Sequence, residues 1–136
     1  MSNKTAYMTF QLTYTGPDSD QVVMPQRTIA ANYQAQNHGT IDVPDATASA
    51  TSYSVPFGSI AADATAGLIE NRTGQPLEVK INGAAAASQT IPSGGVFAWA
   101  NPVASGGTPI LAISLKTTAM QSGVGYINYH LFGDPT

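Results

Sequence analysis

The chain has 136 residues, enough for one domain that buries a core unaided, and no Cys, which excludes a disulfide framework and a thiolate metal centre. Only 10% of its residues are charged, against a usual share of about 25%, while 43% are hydrophobic; this is the composition of a folded domain surfaced mainly by Thr, Ser, Asn and Gln. The formal net charge is −3, and the five basic residues, Lys4, Arg27, Arg72, Lys80 and Lys116, are scattered, so there is no basic stripe to track a nucleic-acid backbone.

The first predicted element is a strand over Thr5–Tyr14. Ala6, Met8, Phe10, Leu12 and Tyr14 fall on one face and Thr5, Tyr7, Thr9, Gln11 and Thr13 on the other, the period of a half-buried strand. Thr15 to Asp20 ends it with turn chemistry, and Gln21–Met24 reads as a short strand stopped by Pro25. Residues 34–50 lack long apolar side chains and read as a long loop with one extended piece at Thr40–Val43. Ser52–Phe57 is strand-like, with Pro56 marking an edge or a bulge. Ser59–Thr65 suits a single helical turn.

Ala66–Asn71 and Leu77–Asn82 read as the two strands of a hairpin. Arg72-Thr73-Gly74-Gln75 is the turn, with Gly74 expected at positive φ, and Pro76 restarts the chain. In the return strand Leu77, Val79 and Ile81 form the core face and Glu78 and Lys80 the wet one. Gly83–Ser88 is a small-residue loop, and four Ala alone cannot nucleate a helix. Ile91-Pro92-Ser93-Gly94-Gly95 is a turn before a strand at Val96–Ala100. Asn101–Thr108 is a loop, and Ile110–Lys116 and Tyr126–Phe132 are the last strands. Seven or eight short strands without an amphipathic helix predict one all-β domain over 1–136, an antiparallel sandwich or jelly roll with a short N-terminal arm and a loop near 34–50. Missing crossover helices exclude a parallel α/β fold.

Chemistry-bearing residues are few. Asn71-Arg72-Thr73 and Asn3-Lys4-Thr5 match a glycosylation acceptor, but Asn and Thr are ordinary turn residues, and no apolar leader precedes them. Asp18, Asp20, Asp42 and Asp45 lack the ligand spacing of a calcium loop. His38 falls in a predicted loop, and His130 lies on the last strand opposite the Ile127/Tyr129/Leu131 face. No Gly-x-Ser-x-Gly elbow accompanies them. We therefore expect no enzymatic activity, catalytic residue, metal or cofactor. Phe97 and Trp99 share a strand face that reads as core, with an interface anchor or a glycan platform as alternatives. No apolar run reaches the roughly 18 residues of a membrane span.

Five segments carry a resemblance: Val55-Pro56-Phe57-Gly58, Asn71-Arg72-Thr73-Gly74, Val79-Lys80-Ile81-Asn82-Gly83, Ile91-Pro92-Ser93-Gly94-Gly95 and Phe132-Gly133-Asp134-Pro135. In this order they resemble small structural proteins of tailed bacteriophages, most nearly the jelly-roll cement or decoration proteins of the capsid. The resemblance implies a non-enzymatic protein, made in the host cytoplasm, that binds the outer capsid surface as a homodimer or homotrimer. Its implied partners are the major capsid protein and its own copies, with neither nucleic acid nor membrane. A tail or fibre component, carrying a receptor- or carbohydrate-binding module, is the alternative. One or both of the arm at Met1–Lys4 and the 34–50 stretch are expected to reach a neighbouring subunit and order on assembly.

Overall fold

The computed structural model describes residues 4–15, 21–100 and 109–135, without the side chains of 14, 15 and 21–25. The described residues form ten strands: β1 (Lys4–Thr15), β2 (Gln21–Tyr33), β3 (Ala35–Val43), β4 (Ser52–Ser54), β5 (Asp63–Arg72), β6 (Leu77–Ile81), β7 (Gln89–Ile91), β8 (Val96–Ala100), β9 (Ile113–Thr117) and β10 (Gly125–Asp134). Eight of them build two four-stranded sheets, ordered β3-β10-β5-β8 and β4-β9-β6-β7. Every strand pair is antiparallel. Apart from the β6–β7 pair, successive strands from β3 onward alternate between sheets. This is the double-sheet jelly roll, and the predicted all-β fold class holds.

The core lies between the sheets. Val43, Ile69, Leu77, Val79, Leu115, Ile127 and Leu131 are fully buried, and Ile91 and Ile113 nearly so. Each such side chain contributes about 1.5–3 kcal/mol through removal from water. Along β10 burial alternates residue by residue, with Ile127, Tyr129 and Leu131 inward and Tyr126, Asn128, His130 and Phe132 outward. Leu77 and Val79 are buried as predicted, and Glu78 and Lys80 face outward on β6.

The remaining two strands form a separate antiparallel ribbon, β1 with β2. At about 3.3 Å per residue it is roughly 40 Å long. The strand predicted at Thr5–Tyr14 is β1. Its partner does not stop at Pro25 but runs through Tyr33. Phe10 pairs with Arg27 and Leu12 with Met24, so Pro25 and Gln26 fall in the bulge between them, where a missing N–H leaves no ladder bond unmade.

Several other expectations are corrected. Residues 34–50 are not a long loop: Ala35–Val43 is an edge strand nine residues long, registered along β10 from Ala35↔Gly133 to Val43↔Gly125. Its inward row is Ala35, Asn37, Gly39, Ile41 and Val43, too small for an apolar alternation to be visible. Tyr129 supplies the missing volume, its hydroxyl lying 2.6 Å from where a Cβ on Gly39 would stand. Residues 44–51 fold back rather than reach out, with Ala46 N–H bonded to Gln121 O (2.9 Å) and Ala50 N–H to Thr117 O (2.8 Å). Ser59–Thr65 holds no helix; Ile60 N–H closes a turn on Phe57 O (3.0 Å), and β5 begins at Asp63. The strand expected from Ile110 begins at Ile113, because Asp63 and Asn82 carboxyl and amide oxygens accept the N–H groups of 110–112 in place of a ladder. Residues 16–20 of the predicted turn, the loop at 101–108 and the segment 1–3 lie outside the described residues.

The largest correction concerns the hairpin. β5 and β6 do not pair; they belong to opposite sheets. Residues 72–76 are a crossover from one sheet to the other, and 92–95 are a second crossover beside it. Gly74 does not take a positive φ. A Cβ there would meet only ordinary contacts, Ser122 O at 3.5 Å and Gln121 Nε2 at 3.7 Å. Gly74→Ala is thus expected to shift the urea midpoint by less than about 1 kcal/mol equivalent, in either direction. A loss of about 2 kcal/mol or more would show that the crossover needs a conformation only glycine adopts.

Candidate functional site

Three places gather the residues to which sequence reasoning points. The first is the end of the sandwich where both crossovers run. Asn71 is completely buried. Its Nδ2 donates to Gln75 O (2.8 Å) and Ile91 O (3.0 Å), with Pro92 O sharing at 3.2 Å. Its Oδ1 accepts the Thr73 N–H at 2.9 Å, and the Thr73 hydroxyl lies 2.6 Å from the same atom. Gln75 extends the network. Its Oε1 accepts from Thr118 N (3.0 Å) and Ala119 N (2.7 Å), and its Nε2 donates to Gln121 Oε1 (3.0 Å). Asn71-Arg72-Thr73 is therefore the fastening of two crossovers, and the Asn71 amide has no exposed surface at which a glycan could be attached. Asn3 of the other triplet lies outside the described residues.

The second place is the outer face of the β3-β10-β5-β8 sheet. A row of polar side chains runs across it. Thr40 Oγ1 donates to Asn128 Oδ1 (2.9 Å), Asn128 Nδ2 to Glu70 Oε1 (3.0 Å), and Arg72 Nε lies 3.2 Å from the same carboxylate oxygen. The Arg72 hydrogen bond, seconded by Asn128, holds the Glu70 carboxyl below the usual carboxylate range, and Glu70 in turn raises Arg72. A lowered folded-state value means that the Glu70 contribution is present above the unfolded-state value and disappears as pH falls through the folded one. The stability difference between the native chain and Glu70→Gln should accordingly be constant above about pH 6 and shrink as the solution is acidified below about pH 4. Urea midpoints across that range check it; a difference independent of pH would contradict the row.

The next row holds both histidines. His38 is on β3, not in a loop, and stands directly opposite His130. Their rings stack with centroids 5.7 Å apart and planes within 10°. Both residues are exposed. No signal in the sequence brings them together, because the strand that carries His38 lacks apolar alternation. Asp42 is exposed on the same strand, across from Tyr126. Asp45 Oδ1 accepts the Gly123 N–H at 2.8 Å, the role of a turn residue. Asp18 and Asp20 lie outside the described residues. Among the described residues no three of His, Asp and Glu converge on one point.

Phe97 and Trp99 pack against the core as partly buried side chains, 5.5 Å apart. Trp99 covers the inner face of Gly67, its cross-strand partner, and its indole N–H donates to Ala64 O at 2.8 Å. Of the readings open for Trp99, core packing is the one the geometry bears out. A groove of about 340 Å³ between Val55, Phe57, Leu111 and Ala112 is lined by no ionisable side chain.

The third place is the ribbon and its root. At the root, Thr65 is the extra residue of a bulge, since Phe132 pairs with Ala66 and Gly133 with Ala64. The Thr65 hydroxyl lies 3.5 Å from Asn32 O and 3.4 Å from Phe132 O. Tyr33 and Phe132 rings meet at 4.9 Å, and Ala31 is fully buried. Beyond the root the ribbon carries two distinct faces. Thr5 bonds Asn32 and Thr9 bonds Thr28 across one of them. The other carries Ala6, Met8, Phe10 and Leu12 of β1 beside Ala31, Ile29 and Arg27 of β2. Leu12 is 55% exposed, and Tyr7, on the polar face, 70%.

No family model matches this chain, and no curated protein or solved structure is detectably similar to it.

Proposed function

We propose that the protein is a non-enzymatic structural component of a bacteriophage virion, seated on the outside of the capsid shell and reinforcing it as a cement or decoration protein. The observation that supports this reading best is the β1–β2 ribbon. A two-stranded ribbon is marginally stable alone in water; a third strand or a packed surface is needed to hold it. Here Leu12 on its apolar face stands exposed and Ala6, Met8, Phe10 and Ile29 are only partly buried, and among the described residues no further strand pairs with either edge of the ribbon. The ribbon, rather than residues 34–50, is the reaching element. Its seat is the shell, with copies of the same chain as neighbours in a closed homo-oligomer. A chain with only 10% charged residues fits a protein that spends its life packed against others. Repeated shallow contacts over many copies add to firm attachment through effective concentration.

Leu12→Asp on the ribbon leaves the jelly-roll core untouched. It is expected to weaken binding of the purified protein to shells stripped of it by about tenfold or more, because a charge replaces an apolar contact in a desolvated seat. Sedimentation of labelled protein with shells reads this out. Undiminished binding with the jelly roll intact would rule out the ribbon as the attachment element.

A further inference from the structure

We propose that His38 and His130 form a two-imidazole chelate for a divalent transition-metal ion on the outer face of the β3-β10-β5-β8 sheet. The proposal stands apart from the virion reading and needs neither shell nor neighbour.

The chain has only two histidines. They belong to segments far apart in sequence, yet the fold sets them directly opposite on adjacent strands with parallel rings 5.7 Å apart. Opposed positions of an antiparallel pair hold their Cβ atoms about 4.5–5.5 Å apart. From such positions one nitrogen of each ring can reach a shared ion at the usual metal–nitrogen distance of about 2.0–2.1 Å. Both rings are exposed, so they can turn about their side-chain bonds on the picosecond-to-nanosecond scale. The backbone needs no adjustment, because nine consecutive register pairs fix β3 on β10. Once the first imidazole is bound, the second acts at a high effective concentration.

The surroundings also suit a cation. Glu70 sits one row away on β5, opposite Asn128. Its carboxylate is already engaged by Arg72 and Asn128, so it supplies field rather than a ligand. The flanking residue on β5 opposite His130 is Leu68, which competes for nothing. Water fills the remaining coordination positions, which makes the site open and exchangeable. Neutral imidazoles select Cu²⁺, Ni²⁺ and Zn²⁺ over Mg²⁺ and Ca²⁺. A bound ion would tie edge strand β3 to central strand β10.

The test is calorimetric titration of the full-length protein with Ni²⁺ near pH 8 in a non-chelating buffer, beside thermal unfolding with and without the ion. The expected result is one ion per chain and a raised unfolding midpoint. His38→Ala and His130→Ala should each weaken binding by about tenfold or more and remove the midpoint shift. Both positions are exposed, so the metal-free midpoint of each variant should stay near that of the native chain; circular dichroism confirms folding. Absence of binding by the native chain would overturn the proposal. So would equal binding by both variants, or a loss in only one of them, which would indicate a single imidazole.

Discussion

Replacing Asn71 by Leu is expected to lower unfolding stability by about 3–5 kcal/mol. The two residues are similar in size, so the loss comes from hydrogen bonding and not from volume. Asn71 is fully buried, and its amide serves two crossovers at once. Without it the Ile91 carbonyl and the Thr73 N–H lose their Asn71 partner at a buried position, and the Gln75 carbonyl is left with the Thr73 hydroxyl alone (2.9 Å). Each such orphan costs about 1–3 kcal/mol. Asn71→Asp should be no milder, because a carboxylate cannot donate to those carbonyls and would set a negative charge against them. Urea midpoints measure both variants. A loss below about 1 kcal/mol would show that the crossovers are held by packing alone.

Gly133→Ala is the second large effect, at about 3 kcal/mol. No positive φ is involved. A Cβ at Gly133 would run into the carbonyl of Asp63, with Ala64 Cα at 3.0 Å behind it. Those are backbone atoms, which cannot swing aside as a flexible side-chain end does. Overpacking of this kind costs about 1–3 kcal/mol and sometimes more. The contact lies at the bulge where Thr65 is extruded from the ladder, next to the root of the ribbon. The substitution should therefore loosen the ribbon as well as the sheet, visible as faster amide exchange in Ala31–Tyr33. A midpoint within about 0.5 kcal/mol of the native chain would contradict the close approach.

These two residues also show where sequence reading works on this chain. The alternations at Thr5–Tyr14, Leu77–Ile81 and Tyr126–Phe132 are written in side-chain type, and each forms a strand. The strand at 35–43 is not, because its inward row relies on Gly39 and small residues that let Tyr129 from another strand fill the space. Turn chemistry at Asn71–Gln75 is legible as a change of direction. Its destination is not: a hairpin within one sheet and a crossing between two use the same residue types. Only the buried Asn71 amide distinguishes them, and burial is a property of the assembled fold. Asn82-Gly83 is the contrasting case. Both residues take positive φ and Ala84 N–H bonds Ile81 O at 3.1 Å, a tight turn that opens the small-residue loop read at Gly83–Ser88.

The candidate surfaces divide the same way. The apolar row Ala6, Met8, Phe10 and Leu12 is plain in the sequence, where it reads as one side of a strand half-buried on its own core. The fold moves that row onto a ribbon outside the jelly roll, which turns a packing signal into the basis for a docking proposal. Trp99, read in the sequence as core with an anchor or platform as alternatives, is the cover over Gly67. The histidine pair has no sequence signature, since pairing across β3 and β10 depends on register alone.

The reading as a capsid cement protein is tested most directly by imaging. Virions carrying a labelled copy of this protein, examined by negative-stain electron microscopy, should show label distributed over the capsid faces, and virions made without the protein should show none and be more easily disrupted by heat. Label confined to the tail would contradict the cement reading and favour a fibre or receptor-binding part. Particles without label would contradict a place in the virion altogether.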